Sequence, residues 1–329
     1  MKALIYDGQK AVYTEDAPMP QCKKEQSLIK ILVADICSTD REILRGYRPA
    51  FRGIMGHEFV GQVVESPDPS LVGKIVVGEM NEGCGDCLYC RTGREKHCLS
   101  LDVIGVSRDG CFAEYMALAT HLLYEVPKTL SPEQAVFTEP LAAALEILEQ
   151  VTIDPSKNVA IIGDGRLAFM IAQILSGTGA PLTVIGKHPE KLKLFAPYAK
   201  TAAYSDYLLE DHREQPGAGL FRSLSAEECF EYVVEACGNE SGIRLALQIV
   251  RKMGVIILKS TYAGDITLDL SVIPVNEISL IGSRCGPFDK ALEYLKSGRV
   301  SFPPVELYEL KDYEAAFSSP AFKAGFRFI

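Results

Sequence analysis

The 329-residue sequence has no excess of basic residues. It carries 34 lysines and arginines against 43 aspartates and glutamates, a net charge of −9 at pH 7. Proteins that bind nucleic acid neutralise its phosphates with basic surface, so this balance argues against a nucleic-acid partner. Long hydrophobic runs are also missing, because no apolar stretch approaches the ~18–20 residues that a membrane-spanning helix needs. We therefore expect neither a nucleic-acid partner nor a membrane partner.

The pattern of a secretory signal peptide is absent too, since residues 1–6 run directly into a strand-like pattern. Ten cysteines would suit a disulfide scaffold in a short secreted chain. This chain is large, however, and four of its cysteines are clustered at the spacing of metal ligands. Metal-bound thiolates in a reducing compartment fit this pattern better, and we expect a cytoplasmic protein.

The cysteine cluster is the strongest single signal in the chain. Its spacing is C-x2-C-x2-C-x7-C, formed by Cys84, Cys87, Cys90 and Cys98. Four thiolates this close together suit a tetrahedral Zn²⁺ ion, although disulfides or an iron–sulfur cluster are alternatives. A site closed by four cysteines leaves no coordination position for a substrate. The cluster therefore predicts a structural zinc in a lobe over residues 84–98, and the chemistry must lie elsewhere.

The pattern of apolar residues changes along the chain, and two domains are expected at this length. Up to about residue 130, short strand-like runs separated by turn residues indicate a β-rich domain, and we expect a partly closed barrel. From residue 158, strands and helices alternate, which predicts a parallel, doubly wound sheet. We therefore expect a β-rich domain over residues 1–140 and 281–329, and an α/β domain over residues 141–280.

A glycine-rich turn joins the first strand and helix of the α/β domain. It reads G-x-G-x-x-A, with Gly163 and Gly165 followed by Arg166 and Leu167. Such glycines permit a tight turn and a close backbone approach, and the helix then begins next to a dinucleotide pyrophosphate. Asp164, inside the turn, is unexpected beside that dianion, so we expect its side chain to point away.

The end of the second strand of this domain bears on the choice of coenzyme. An NAD site usually has a carboxylate there, about 20 residues after the turn, which accepts a hydrogen bond from the ribose 2′-hydroxyl. Here the strand ends in Gly186-Lys187-His188. Two potential cations in place of a carboxylate favour NADP(H) over NAD(H). The alternative is that Lys187 and His188 are solvated turn residues with little influence on selectivity.

Five motifs together resemble the zinc-dependent medium-chain alcohol dehydrogenase family, in the order of that family. They are Cys37-Ser-Thr39-Asp40, Gly56-His57-Glu58, the cysteine lobe, Glu139-Pro-Leu-Ala and the G-x-G-x-x-A turn. The Glu-Pro-Leu form is similar to the polyol, threonine and glucose dehydrogenases of the family. The resemblance covers essentially the whole chain. It implies a parallel Rossmann domain for dinucleotide binding and a β-rich, GroES-like catalytic domain.

The resemblance also implies a catalytic zinc. Cys37 and His57 would be ligands, and Glu139, Glu58 or a carboxylate-bound water would complete the set. Which glutamate binds the metal directly is left open by the sequence.

Three further roles follow from the resemblance. Asp40 would orient His57 through the far ring nitrogen, and Thr39 would relay the substrate proton. Arg327, in the last strand, would reach the coenzyme pyrophosphate, with an ordinary surface charge as the alternative.

The function implied is hydride transfer between NAD(P) and a secondary alcohol or polyol, or the corresponding carbonyl compound. We expect two zinc ions per chain, a small-molecule substrate, and a homodimer or homotetramer. The alternative is a catalytically silent nucleotide-sensing or interaction protein on the same scaffold. A zinc-ribbon protein that binds nucleic acid is disfavoured by the acidic charge balance.

Overall fold

The computed structural model describes residues 1–208, 224–225, 228–262 and 265–328. In it the chain forms two units. Unit 1 comprises Met1–Pro140 and Phe288–Ile329, and unit 2 comprises Leu141–Pro287.

The strands, in chain order, are β1 Ala3–Tyr6, β2 Ala11–Thr14, β3 Gln26–Asp35, β4 Gly53–Ile54, β5 Glu58–Glu65, β6 Ile75–Gly78, β7 Asn81–Glu82, β8 Asp102–Val103, β9 Tyr115–Ala119, β10 Leu123–Glu125, β11 Val159–Ile162, β12 Leu182–Gly186, β13 Lys200–Ala203, β14 Phe230–Glu235, β15 Val250–Leu258, β16 Ser279–Gly282, β17 Val305–Tyr308 and β18 Lys323–Arg327.

The α-helices are α1 Ser38–Leu44, α2 Leu88–Arg91, α3 Pro132–Ala135, α4 Thr138–Gln150, α5 Arg166–Ser176, α6 Pro189–Leu192, α7 Glu240–Ile249, α8 Val272–Val275, α9 Phe288–Lys296 and α10 Tyr313–Ser318. Short 3₁₀ helices lie at Pro69–Leu71, Glu95–His97, Thr120–Leu122, Lys193–Phe195, Tyr204–Tyr207 and Leu310–Asp312. Within the described ranges, no helix is both long and apolar enough to cross a membrane.

Unit 1 is built around the long strand β3. The strand is largely buried, and its β-branched and leucine residues suit a strand packed on both faces. It lies within a seven-stranded sheet of order β10-β6-β5-β3-β18-β17, in which β9 also pairs with β3. Strand β5 pairs along one edge of β3, whereas β9 and then β18 pair along the other. The β-rich character predicted for this part of the chain is therefore confirmed.

Two phenylalanine rings meet in the core of unit 1. The rings of Phe112 and Phe326 meet edge to face with their centroids 4.9 Å apart, a favourable arrangement for their quadrupoles. Both side chains are fully buried. Since Phe326 belongs to β18, this contact joins β18 to the core residues that come much earlier in the chain.

Unit 2 contains a six-stranded sheet of order β13-β12-β11-β14-β15-β16, and all its neighbouring strands are parallel. This is the doubly wound order 3-2-1-4-5-6, with its switch point between β11 and β14. Ile162 is in register with both Ile185 and Glu235, so the three strands end at the same edge of the sheet. The parallel α/β fold predicted for this segment is confirmed.

The segment that returns to unit 1 begins later than the sequence predicted. We expected the return at residue 281, but β16 still belongs to the parallel sheet, where Val255 of β15 is in register with Ser279. Unit 2 therefore extends to Pro287. The edge strand is short and largely exposed, which explains why it resembled the short strands of the β-rich domain.

Candidate active site and metal centres

A cluster of metal-ligand residues forms where β3 ends and β5 begins. Asp35 and Glu58 are antiparallel partners, so the residues that follow β3 and precede β5 come together. The ligand atoms of Cys37, His57 and Glu58 all lie within 4.8 Å of one another. His57 and Glu58 are buried, and Cys37 is half-buried. Three residues that the sequence analysis proposed as ligands are thus brought together.

Asp40 holds two members of this cluster in place. Its Oδ2 accepts a hydrogen bond from the backbone N–H of Cys37 at 2.8 Å. Its Oδ1 faces Nδ1 of His57 at 3.6 Å, and neither atom has a hydrogen-bond partner among the described residues. Because that distance is too long for a good hydrogen bond, the contact is electrostatic. It leaves the other ring nitrogen, Nε2, as the one that can face a metal.

The electrostatics of the cluster favour positive charge on the imidazole. Burial acts to lower the pKa of His57, but the carboxylate of Asp40 and the sulfur of Cys37 outweigh it and raise that pKa well above the ordinary value. Burial raises the pKa of Asp40. A bound cation would supply the positive charge that this environment favours. Thiolate, imidazole and carboxylate are all ligands of Zn²⁺, so these residues fit a zinc ion.

Glu58 is paired with a lysine that the sequence analysis missed. The ammonium group of Lys323 and the carboxylate of Glu58 form an ion pair, and both side chains are almost fully buried. Lys323 belongs to β18 and lies between apolar neighbours in Phe322-Lys323-Ala324. A lysine in an otherwise apolar strand requires a buried partner, which is the signal that could have identified it.

Two other residues assigned to the catalytic site occupy different positions. Glu139 lies in the first turn of α4 and is half-buried, but it is not part of the described group of ligand atoms. Its charge contributes to the raised pKa of His57. Thr39 lies in α1, with its hydroxyl oxygen 3.8 Å from the sulfur of Cys37.

The four-cysteine lobe also has the geometry of a metal site. The sulfur atoms of Cys84, Cys87, Cys90 and Cys98 all lie within 4.8 Å of one another. The sulfur of Cys87 is 3.5 Å from that of Cys90 and 3.8 Å from that of Cys98. Tetrahedral zinc with Zn–S bonds of about 2.3 Å would place its ligands about 3.8 Å apart. None of the ten cysteines forms a disulfide, so that alternative is not supported.

Backbone N–H groups surround these sulfur atoms. Cys98 accepts from the N–H of Cys84 at 3.2 Å and from that of Ser100 at 3.3 Å. The N–H of Cys90 is the main cause that lowers the pKa of Cys87 to about 6. Such donors stabilise thiolates, which are the form that binds a metal.

The glycine-rich turn of unit 2 leaves the start of α5 open. Gly163 has φ +127°, and a side chain there would meet the carbonyl of Ala236 at 2.9 Å. A Cβ on Gly165 would have no protein atom within 4 Å. Arg166 and Leu167 form the first turn of α5 and are half-buried. This open space at a helix start suits a pyrophosphate, so the residues fit a bound dinucleotide.

The residues after β12 make specific contacts. The ammonium group of Lys187 lies 3.1 Å from the hydroxyl of Ser241 and 4.5 Å from the centre of the Tyr204 ring. The ring of His188 lies 2.9 Å from a carboxylate oxygen of Asp164. The side chain of Asp164 therefore points towards the end of β12.

Arg327 lies at the end of β18 and is about half exposed. Its guanidinium group is paired with Glu133 at 2.7 Å. Glu133, like Arg327, belongs to unit 1.

Comparison with known proteins agrees with this fold and these clusters. Residues 23–128 match the family model described as the alcohol dehydrogenase GroES-like domain. D-arabinitol dehydrogenase 1 of Uromyces fabae is 28% identical, over 98% of this chain and 94% of its own length. L-threonine 3-dehydrogenase of Bacillus subtilis (strain 168) is 30% identical, over 82% of this chain and 79% of its own length.

A solved structure shows the same fold. An alcohol dehydrogenase from Thermus sp. ATN1 superposes with a TM-score of 0.83 at 25% identity, over 99% of each chain. Together with the two clusters of metal ligands, these similarities show that the chain belongs to the zinc-type medium-chain alcohol dehydrogenase family of NAD(P)-dependent oxidoreductases.

Proposed function

We propose that the chain transfers a hydride between NAD(P) and a secondary alcohol or polyol, or the corresponding carbonyl compound, with a zinc ion at Cys37, His57 and Glu58. The observation that carries this proposal is the convergence of these ligand atoms within 4.8 Å. The cluster combines three ligand types, and among the described residues no fourth one joins it, which leaves the open position that a catalytic zinc site requires. Glu139, close enough to influence His57 electrostatically, is available as an alternative carboxylate ligand.

Each residue of the cluster has a separate task. Zinc, when bound, supplies the Lewis acidity that makes an alcohol easier to deprotonate. Asp40 keeps His57 in one tautomer and one orientation, because its carboxylate faces Nδ1. Thr39 offers a hydroxyl beside Cys37 that can take the substrate proton and pass it on.

Lys323 has a supporting task in the same site. Its ammonium group balances the charge of Glu58 in a region where both are buried. The pair holds that carboxylate in one orientation, as a metal ligand requires.

The second proposed zinc would lie in the cysteine lobe, where four sulfur atoms lie within 4.8 Å of one another, and would bring the total to two zinc ions per chain. Four cysteine ligands close its coordination shell, so its role is to stabilise the lobe rather than to react. The residues around it have few other means of holding their shape, since the lobe contains only one turn of α-helix and one of 3₁₀ helix.

The coenzyme would be held by unit 2. Gly163, Gly165, Arg166 and Leu167 would hold the pyrophosphate at the start of α5. Lys187 and His188 would lie next to the adenosine ribose. The sequence predicts a preference for NADP(H) from Gly186 and Lys187, and the contribution of Arg327 to binding the coenzyme remains a proposal.

The substrate, the oligomeric state and the cellular location are also proposed. We propose a small alcohol or polyol, or its carbonyl counterpart, as the substrate. A homodimer or homotetramer and a cytoplasmic location are consistent with the family and remain proposals.

The test is a panel of secondary alcohols, polyols and ketones, assayed with each coenzyme by the absorbance of the reduced nicotinamide. We expect turnover on a member of the panel, and loss of nearly all of it in Cys37→Ser. Cys22→Ser is the matched control, because Cys22 is an exposed cysteine outside both clusters. Tight coenzyme binding without turnover on any substrate would instead favour the nucleotide-sensing alternative.

A further inference from the structure

The carboxylate that β12 lacks is supplied by another part of unit 2. Gly186 ends β12 and has no side chain. A Cβ built on it would lie 2.7 Å from Oδ2 of Asp164 and 2.8 Å from its Cβ. The side chain of Asp164 therefore occupies the space into which a side chain at position 186 would extend. A glycine is required at position 186 because the carboxylate of Asp164, from the turn that follows β11, fills this space.

Asp164 is fully engaged with the turn after β12. Its Oδ2 accepts hydrogen bonds from the backbone N–H groups of Lys187 and His188, each at 2.8 Å. The ring nitrogen Nδ1 of His188 lies 2.9 Å from Oδ2 and 3.1 Å from Oδ1. The Asp164 side chain is only 9% exposed, whereas that of His188 is 59% exposed. Burial acts to raise the pKa of Asp164, but the His188 and Lys187 donors outweigh it and lower that pKa.

These donors are the ones that a second anion at this position would need. In dinucleotide-binding sheets of this order, the end of the second strand meets the ribose 2′ position. A 2′-phosphate placed there would find both backbone N–H groups and the His188 ring already bound to a carboxylate. It would also be repelled by that carboxylate. The ammonium group of Lys187, meanwhile, is directed to Ser241 and Tyr204.

We infer that the negative charge of Asp164, held at the anion position at the end of β12, determines the coenzyme preference, so that the chain binds NAD(H) more tightly than NADP(H). This inference rests on the proposed function only in requiring that unit 2 binds a nicotinamide dinucleotide. It reverses the preference predicted from Gly186 and Lys187, because that prediction assumed that no carboxylate lies at this position.

The test measures equilibrium binding of NADH and NADPH to the full-length protein, by the fluorescence of the bound reduced nicotinamide. Wild type is expected to bind NADH at least tenfold more tightly than NADPH. Asp164→Asn keeps the shape of the side chain and removes its charge. In this variant the ratio of the NADPH and NADH dissociation constants should fall by about tenfold or more, in favour of NADPH.

The matched control is Glu235→Gln. Glu235 is a buried carboxylate that also accepts from a strand-end turn, at the N–H groups of Cys237 and Gly238 at 2.8 and 2.9 Å, but it lies on β14. It should leave the ratio of the two dissociation constants unchanged, even if both coenzymes bind more weakly. Protection against thermal unfolding by 2′,5′-ADP compared with 5′-AMP gives a second readout that does not depend on activity.

An unchanged ratio in Asp164→Asn, with both coenzymes bound, would overturn the inference alone. So would a wild-type protein that prefers NADPH, and this result needs no variant to fold. If wild type bound neither dinucleotide, the proposed function would fail, and the inference with it.

Discussion

Replacing Lys323 by methionine isolates the buried charge of Glu58. The two side chains are 3% and 1% exposed and form an ion pair. Methionine fills a similar volume but supplies no charge, so the carboxylate would remain in a region of low dielectric without its cationic partner. Breaking a buried pair in this way costs about 3–5 kcal/mol.

This loss should be large in a thermal melt. In a domain of about 150–250 residues, each kcal/mol lowers Tm by about 2–4 °C, which gives a decrease of about 6–20 °C. The chain contains no tryptophan, so unfolding is followed by far-ultraviolet circular dichroism rather than by tryptophan fluorescence. All melts are run on protein from which zinc has been removed with a chelator, because a zinc ion at Glu58 would itself neutralise the carboxylate, and zinc content is measured on the same samples to verify the removal.

Two control variants test whether the lost stability comes from leaving a charge buried and unpaired, rather than from removing a lysine. Lys74→Met removes the lysine of an exposed ion pair. Nζ of Lys74 lies 2.8 Å from Oε1 of Glu125, and both side chains are more than 40% exposed. That change should cost less than about 1 kcal/mol. The double variant Glu58→Gln, Lys323→Met leaves no isolated charge and should recover most of the stability lost in Lys323→Met. A Tm within 1 °C of wild type for Lys323→Met, or a double variant that is no more stable than it, would refute the reasoning.

Three other predictions follow from the described contacts. Asp40→Asn should weaken zinc binding about 10–100-fold, because a carboxylate no longer orients His57. Competition with a chromophoric chelator measures the zinc affinity, and an unchanged affinity would contradict the role of Asp40. Thr39→Val should lower kcat about 100-fold and leave the dissociation constant of NADH unchanged, because only the proton relay is removed. A kcat equal to that of wild type would rule out this relay. The pKa of Asp164 is lowered from 3.8 in the folded state, so its contacts contribute stability above about pH 4 that is lost as pH falls through the folded-state pKa. The Tm difference between wild type and Asp164→Asn should therefore shrink below pH 4, and a constant difference would contradict this.

Short motifs allowed much of the cluster of Cys37, His57 and Glu58 to be predicted. Cys37 and His57 flank strands that pair antiparallel, and the strands themselves are evident from runs of β-branched residues, so their convergence follows from local patterns. The parallel sheet of unit 2 was predictable for the same reason, because its strands and helices alternate. Motif order, rather than any single residue, made the cluster recognisable.

Contacts between distant or isolated residues could not be predicted in this way. Lys323 is a single residue of β18, far from Glu58 in sequence, whereas Arg327 on the same strand was proposed only from the family resemblance. Asp164 reaches Lys187 and His188 across two neighbouring strands, a contact that no periodicity encodes. For this reason, the glycine at position 186 predicts, from the sequence alone, a site that lacks a carboxylate.

The zinc content of Cys37→Ser tests the central claim most directly. Atomic emission measurements on purified protein should give two zinc ions per chain in wild type and one in Cys37→Ser, with the Cys22→Ser control retaining two. The remaining zinc in Cys37→Ser should be lost on adding Cys90→Ser, since that residue belongs to the other cluster. A Cys37→Ser protein that keeps two zinc ions would contradict the assignment of a catalytic zinc to Cys37, His57 and Glu58.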